Sequence, residues 1–194
     1  MKAYVINLDK RPDRLARISA HLAELGIPME RIEAYDGKLL DFIDSNWRKK
    51  GRSIESRWRG EFGCYMSHMT ALSEAMHQDI FPCMILEDDC VLSEVPQPEP
   101  GMVYLGGYES SKGLYGFHAV MYNTWEDAAN FSYYADDEQK AVDAIGNDYR
   151  KKHPDRVSKY SKGFIATQLT DFSDIEGCVV SRTQAGTVSK HSAE

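Results

Sequence analysis

The chain has 194 residues, 42% of them hydrophobic and 27% charged, which suits one domain with a substantial core and excludes a fibrous or wholly disordered protein. A net charge of −7 excludes general affinity for nucleic acid, which needs a continuous basic surface to neutralise phosphates. The opening MKAYVINLDKRPDRL reaches charge too soon for a secretory signal, and no segment approaches the roughly 20 apolar residues of a membrane span, so the expectation is a cytoplasmic protein.

In chain order, AYVINL is an apolar run rich in strand formers that ends at Asp9, Lys10 and Arg11, as a buried first strand does. A helix follows, with Pro12 in its first turn, Leu15, Ile18, Leu22 and Leu25 at helical spacing, and Gly26 as its stop. RIEAY reads as the second strand, with the turn Asp36-Gly37 behind it. Residues 47–60 carry Arg48, Lys49, Lys50, Arg52, Arg57 and Arg59 against Glu55 alone. They read as a loop that is either a solvated face or a lid over an anionic ligand. From Glu61 to about Gln78, Met66, Met69, Leu72 and Met76 form a helical stripe of core contacts.

PCMILE is the third strand. MVYLGG, LYGFHAVMYN and KGFIATQ read as further strands, TWEDAANFSYYA and EQKAVDAIGNDYRKK as helices. Beyond Gly177 the pattern is polar, so residues 1–177 are expected to form one domain and 178–194 a mobile tail. Cys64, Cys83, Cys90 and Cys178 lack paired zinc-ligand spacing and read as reduced, small buried hydrophobes.

Alternation of strand and helix points to an α/β fold with a mainly parallel sheet, in which ligands gather outside the carboxyl ends of the strands. The polar clusters Asn7 to Arg14, Asp36-Gly37 and Glu87-Asp88-Asp89 all fall there. Three acids ending an apolar strand are costly unless water, a cation or a hydrogen-bond network receives them. Their oxygens suit Mg²⁺ or Mn²⁺, above all where a diphosphate completes the shell; capping a helix or pairing with arginine is the structural alternative.

YVINLDKRPDR, IEAYDG, GEFGCYMSHMTAL, MILEDDC, VYLGG and YGFHAVMY, in this order and spacing, resemble glycosyltransferase family 25 over roughly residues 2 to 175. That family includes bacterial lipooligosaccharide galactosyltransferases and collagen galactosyltransferases. The resemblance implies a GT-A-type, Rossmann-like nucleotide-sugar-binding fold, a UDP-sugar donor, usually UDP-galactose, inversion at the anomeric carbon, and dependence on Mn²⁺ or Mg²⁺. It places Glu87 and Asp89 as metal ligands, and Asn7, Leu8, Arg11, Arg14, Asp36 and Gly37 toward the nucleotide. Ser67 and His68 match a pair that could reach the donor or the acid triplet, and His118 a histidine that lines the acceptor site, contacts the metal or simply packs; the Gly106-Gly107 backbone permits close approach behind its strand.

Inversion by direct displacement needs a base beside the acceptor hydroxyl. Asp143 matches the family's acidic position after the histidine strand, and Asp88 is the alternative. The implied acceptor is a glycan or lipid-linked glycan, of the kind used in lipopolysaccharide biosynthesis, which leaves peripheral contact with the inner face of the membrane open. Two other functions fit the residues: a nucleotidyltransferase, disfavoured because YVINL is not followed by a glycine-rich, lysine-containing phosphate loop, and a non-catalytic nucleotide-sugar or carbohydrate module.

Overall fold

The computed structural model describes residues 1–39, 55–111, 113–136, 138, 140–169, 171–173, 178–182 and 188–191. The first half is β1 (Lys2–Asn7), α1 (Pro12–Glu24), β2 (Met29–Glu33), α2 (Glu55–Gln78) and β3 (Cys83–Glu87). Then come β4 (Cys90–Leu92), β5 (Met102–Tyr104), β6 (Tyr108–Ser110), β7 (Gly113–Tyr115), β8 (Ala119–Tyr122), α3 (Trp125–Asp136), α4 (Val142–Lys152), β9 (Val157–Lys159) and β10 (Ala166–Gln168). Last are β11 (Asp171–Ser173), β12 (Cys178–Arg182) and β13 (Val188–His191), which form a separate antiparallel sheet.

The main sheet has six strands in the order β2-β1-β3-β8-β5-β9. β1 pairs in parallel with both β2 and β3, β5 pairs in parallel with β9, and β8 alone runs against its neighbours. The expected mainly parallel α/β sheet is therefore present. The carboxyl ends of β1, β2, β3 and β5 meet the amino end of β8 along one edge.

Strand alternation splits the core in two. Tyr4, Ile6, Ile85, Tyr104, Val120 and Tyr122 point to one face, where they pack with Leu72, Phe131 and Ile145 from α2, α3 and α4. Ala3, Val5, Met84, Leu86, Val103 and Met121 point to the other, under Ile18 and Leu22 of α1. The methionine stripe behaves as expected, with Leu72 buried and Met66, Met69 and Met76 packed against the first cluster.

α1 ends where Gly26 adopts φ +67°, a conformation only glycine takes without steric cost, and the Ile27 N–H returns to the Leu22 carbonyl. Several elements differ from the sequence pattern: β4, β6, β9, β11, β12 and β13 have no counterpart in it, and three others begin or break elsewhere. α2 starts at Glu55 rather than Glu61, with Trp58 buried in the core, so residues 55–60 are helix and not loop. The segment LYGFHAVMYN is two strands, broken where Gly116 takes φ +94° and Phe117 turns into the core. α4 starts at Val142, later than its polar lead-in suggested.

Candidate active site

The carboxyl end of β1 is tied down by a side chain. Asn7 is 1% exposed, and its Nδ2 donates to the Arg11 carbonyl at 2.9 Å and to Asp88 Oδ2 at 2.7 Å. Its Oδ1 accepts from Arg31 Nε at 3.1 Å, so the buried amide is satisfied on both sides. Arg14, one turn into α1, donates from Nη1 to Asp88 Oδ1 at 3.1 Å, and both side chains are less than a tenth exposed.

This is a buried ion pair joining α1 to the loop after β3. Burial pushes the Asp88 carboxyl above its ordinary value, against the pull of Asn7 and Arg14. Burial also opposes the Arg14 cation, but Asp88 and Asp89 outweigh it and raise its pKa.

The block GEFGCYMSH is explained by helical spacing. Gly63 and Ser67 share one face of α2, Cys64 and His68 the next. A Cβ on Gly63 would lie 2.4 Å from the Tyr35 carbonyl oxygen and 2.8 Å from the Gly37 nitrogen, and one on Gly37 would lie 1.8 Å from the Arg59 carbonyl oxygen. Two glycines thus let the chain after β2 lie against the helix backbone. Ser67 Oγ accepts from the Tyr35 N–H at 2.9 Å and donates to the Gly63 carbonyl at 2.6 Å, fastening the contact. Asp36 is then held by Lys10 and by the Lys38 N–H; burial raises its pKa, but these partners win and it lies below its ordinary value.

His68, 1% exposed, places Nε2 3.3 Å from Glu87 Oε1, and Cys64 Sγ lies 3.7 Å from the same oxygen. Glu87 Oε2 and Asp89 Oδ1 each accept from Gln168 Nε2 at 3.1 Å. Two carboxylates therefore converge on one amide group at the mouth of the sheet. Gln168 was not singled out in the sequence; its position at the end of β10, paired with Cys90, follows only from tertiary packing.

These groups surround a cleft lined by Leu8, Arg14, Tyr35, Asp36, Gly37, Lys38, Gly60, Cys64, Ser67, Glu87, Asp88 and Asp89, with Ile6 and Ala34 beneath. Leu8, Arg14, Asp36, Gly37 and the acid triplet are thus brought together, as the topology implied, and Ser67 joins them from α2. Asn7 and His68 support the cleft from behind rather than line it. Arg11 turns to Asp13 on its own helix.

Gly106, Gly107 and His118 gather beyond the triplet. A Cβ on Gly106 would lie 2.3 Å from His118 Nε2, and one on Gly107 2.2 Å from the Tyr115 carbonyl oxygen. His118 is buried, and its carbonyl accepts the Glu87 N–H at 2.9 Å. Asp143 is exposed in the first turn of α4 and is not among the residues lining the cleft. Of the basic segment, residues 47–54 lie outside the described residues, while the Arg59 guanidinium sits over the Trp58 ring at 5.4 Å.

The chain has relatives among known proteins. The profile described as "Glycosyltransferase family 25 (LPS biosynthesis protein)" matches residues 1–168. The chain belongs to glycosyltransferase family 25. Among family 25 relatives, it is 31% identical over 94 residues to "Procollagen galactosyltransferase 2" of Mus musculus, a match covering 44% of this chain and 15% of that one. It is 30% identical over 98 residues to "Inactive glycosyltransferase 25 family member 3" of Homo sapiens, covering 45% and 16%. The family 25 stretch matched is thus under a fifth of either relative's length. Its fold resembles that of a solved glycosyltransferase "involved in the glycosylation of the major capsid of PBCV-1", with TM-score 0.50, 8% identity, and coverage of 91% of this chain and 96% of the other. Among the described residues no helix is long and apolar enough to cross a membrane.

Proposed function

We propose that this family 25 chain transfers a hexose, galactose, from a UDP-sugar to a hydroxyl of a glycan or lipid-linked glycan, with inversion, in the cytoplasm or at the inner face of the membrane. The observation that carries the reading is the convergence of Glu87 Oε2 and Asp89 Oδ1 on one Gln168 amide, beside a cleft walled by Leu8, Arg14, Asp36 and Lys38. Choice of galactose rests on the names of the procollagen galactosyltransferase relatives.

Two oxygen donors within reach of a single nitrogen fit a hard cation, so Glu87 and Asp89 would hold Mn²⁺ or Mg²⁺. Bound there, the ion would offset charge developing on the leaving diphosphate. Lys38 brings positive charge to the cleft wall, whereas the Arg14 charge is paired with Asp88 and Gly37 serves the contact with α2. Asp88 is committed to Arg14 and Asn7, so its role is to position the loop that presents its two neighbours. The family resemblance proposes Asp143 as the base, which would draw the proton from an acceptor hydroxyl brought to the start of α4, outside the residues lining the cleft.

The test is turnover: UDP release from UDP-galactose in the presence of Mn²⁺ and a glycan acceptor, measured against a chelated control. Metal-dependent release that requires acceptor supports the reading. Binding of UDP-sugar with no release under any acceptor would instead fit a binding module, a reading the relatives named inactive make concrete.

A further inference from the structure

We propose that Cys64, His68 and Glu87 form a binding site for a soft divalent cation, Zn²⁺, distinct in chemistry from the Glu87–Asp89 pair. Cys64 and His68 stand four residues apart on α2, so their side chains project from the same face toward the end of β3. Cys64 Sγ is 3.7 Å and His68 Nε2 3.3 Å from Glu87 Oε1, and the three ligand atoms all lie within 4.8 Å of one another.

The two contacts to Glu87 Oε1 have the length of edges in a metal's coordination shell. With Zn–S near 2.3 Å and Zn–N or Zn–O near 2.0–2.1 Å, tetrahedral angles put nitrogen and oxygen about 3.3 Å apart and sulfur and oxygen about 3.5 Å apart. The two contacts to Glu87 Oε1 are close to that geometry, and the Cys64–His68 edge, within 4.8 Å, would close toward about 3.5 Å as an ion binds. Without metal the same contacts act as hydrogen bonds, which keeps the three groups together before an ion arrives.

Two further features fit a site. Glu87 divides its carboxylate, with Oε1 toward the cysteine and histidine and Oε2 held by Gln168 at 3.1 Å, so an outer partner orients the ligand. Cys64 and Glu87 both line the cleft, which gives an entry path and leaves a fourth position for water. The donor set of thiolate, imidazole and one carboxylate selects Zn²⁺ over Mg²⁺ or Mn²⁺, whereas Glu87 with Asp89 offers oxygen alone. Binding transfers the Cys64 thiol proton to solvent as the sulfur–metal bond forms. The site stands whether or not the protein transfers sugar.

The experiment is titration of the reduced full chain with Co²⁺, followed by displacement with Zn²⁺, read by absorption, with circular dichroism as the check on folding. Expected are one equivalent of Co²⁺ with thiolate-to-cobalt charge-transfer absorption, its loss on Zn²⁺ addition, and its absence in Cys64→Ser. His68→Gln should weaken binding by more than about 100-fold, the upper range that even outer-shell partners reach. Asp89→Asn should keep the band, although it would lose Mn²⁺-assisted donor binding if the glycosyltransferase reading holds. The proposal is overturned by absence of thiolate absorption in the folded wild type, by a band that survives in Cys64→Ser, or by its loss in Asp89→Asn.

Discussion

Replacing Arg14 with methionine removes one half of a buried ion pair while keeping much of the side chain's apolar volume. Both partners are under a tenth exposed although they line the cleft, so water reaching Asp88 would replace the guanidinium only in part. Breaking such a pair costs about 3–5 kcal/mol. Asn7 still donates to Asp88 at 2.7 Å, which places the expected loss near the lower end, about 3 kcal/mol. At roughly 2–4 °C per kcal/mol for a domain of this size, the melting temperature should fall by about 6–12 °C.

The pH dependence sharpens the test. Burial raises the folded pKa of Asp88, so its contribution to stability is fully present below the ordinary carboxylate range and is lost as pH rises through the folded pKa. Without Arg14 that pKa rises further and the loss grows. The deficit of Arg14→Met, measured by urea unfolding, should therefore be larger near pH 7 than near pH 4. A deficit within about 0.5 kcal/mol of zero, the range of ordinary surface substitutions, would mean that the pair contributes nothing to stability. One equal at both pH values would contradict the raised Asp88 pKa.

Gly63→Ala gains helix propensity worth up to about 1 kcal/mol but drives a methyl into the backbone of Tyr35 and Gly37, at a cost of about 1–3 kcal/mol. A net loss of stability in urea is expected, and a gain would mean the close approach is not tight. Burial pushes the Cys83 thiol up to about 12 and Cys90 well above its ordinary value. Iodoacetamide should thus leave both unmodified in the native chain near pH 8, and peptide mapping that finds them labelled would contradict their burial. If Asp143 is the base, Asp143→Asn should lower turnover by about 100-fold or more while donor affinity holds, as removal of a general base requires. Unchanged turnover would remove it from the mechanism.

The sheet was legible because β1, β3 and β5 are continuous apolar runs, the pattern of strands covered on both faces. The cleft was legible because crossover topology delivers strand ends to one edge, which brought Leu8, Asp36 and Glu87 together without any contact being known. Less visible was the division of labour inside the acid triplet. Three adjacent carboxylates look alike in sequence, yet Asp88 turns inward to Arg14 and its neighbours turn to Gln168, a partner some 80 residues away. Short strands such as β4 and β9, and β12 and β13 in the polar end of the chain, carry too few residues or too little apolar pattern to announce themselves. α2 began early because one buried residue, Trp58, outweighed a run of charges.

Whether Glu87 and Asp89 hold a cation for the donor is decided by calorimetric titration of the protein and of Asp89→Ala with UDP-galactose, UDP-glucose and UDP-N-acetyl sugars, with Mn²⁺ and then with chelator. Metal-dependent binding of one donor by the wild type, lost in a folded Asp89→Ala, is the expected result. Failure of every UDP-sugar to bind, or binding unchanged by chelator and by the substitution, would contradict the assignment of Glu87 and Asp89 to a cation that receives the donor.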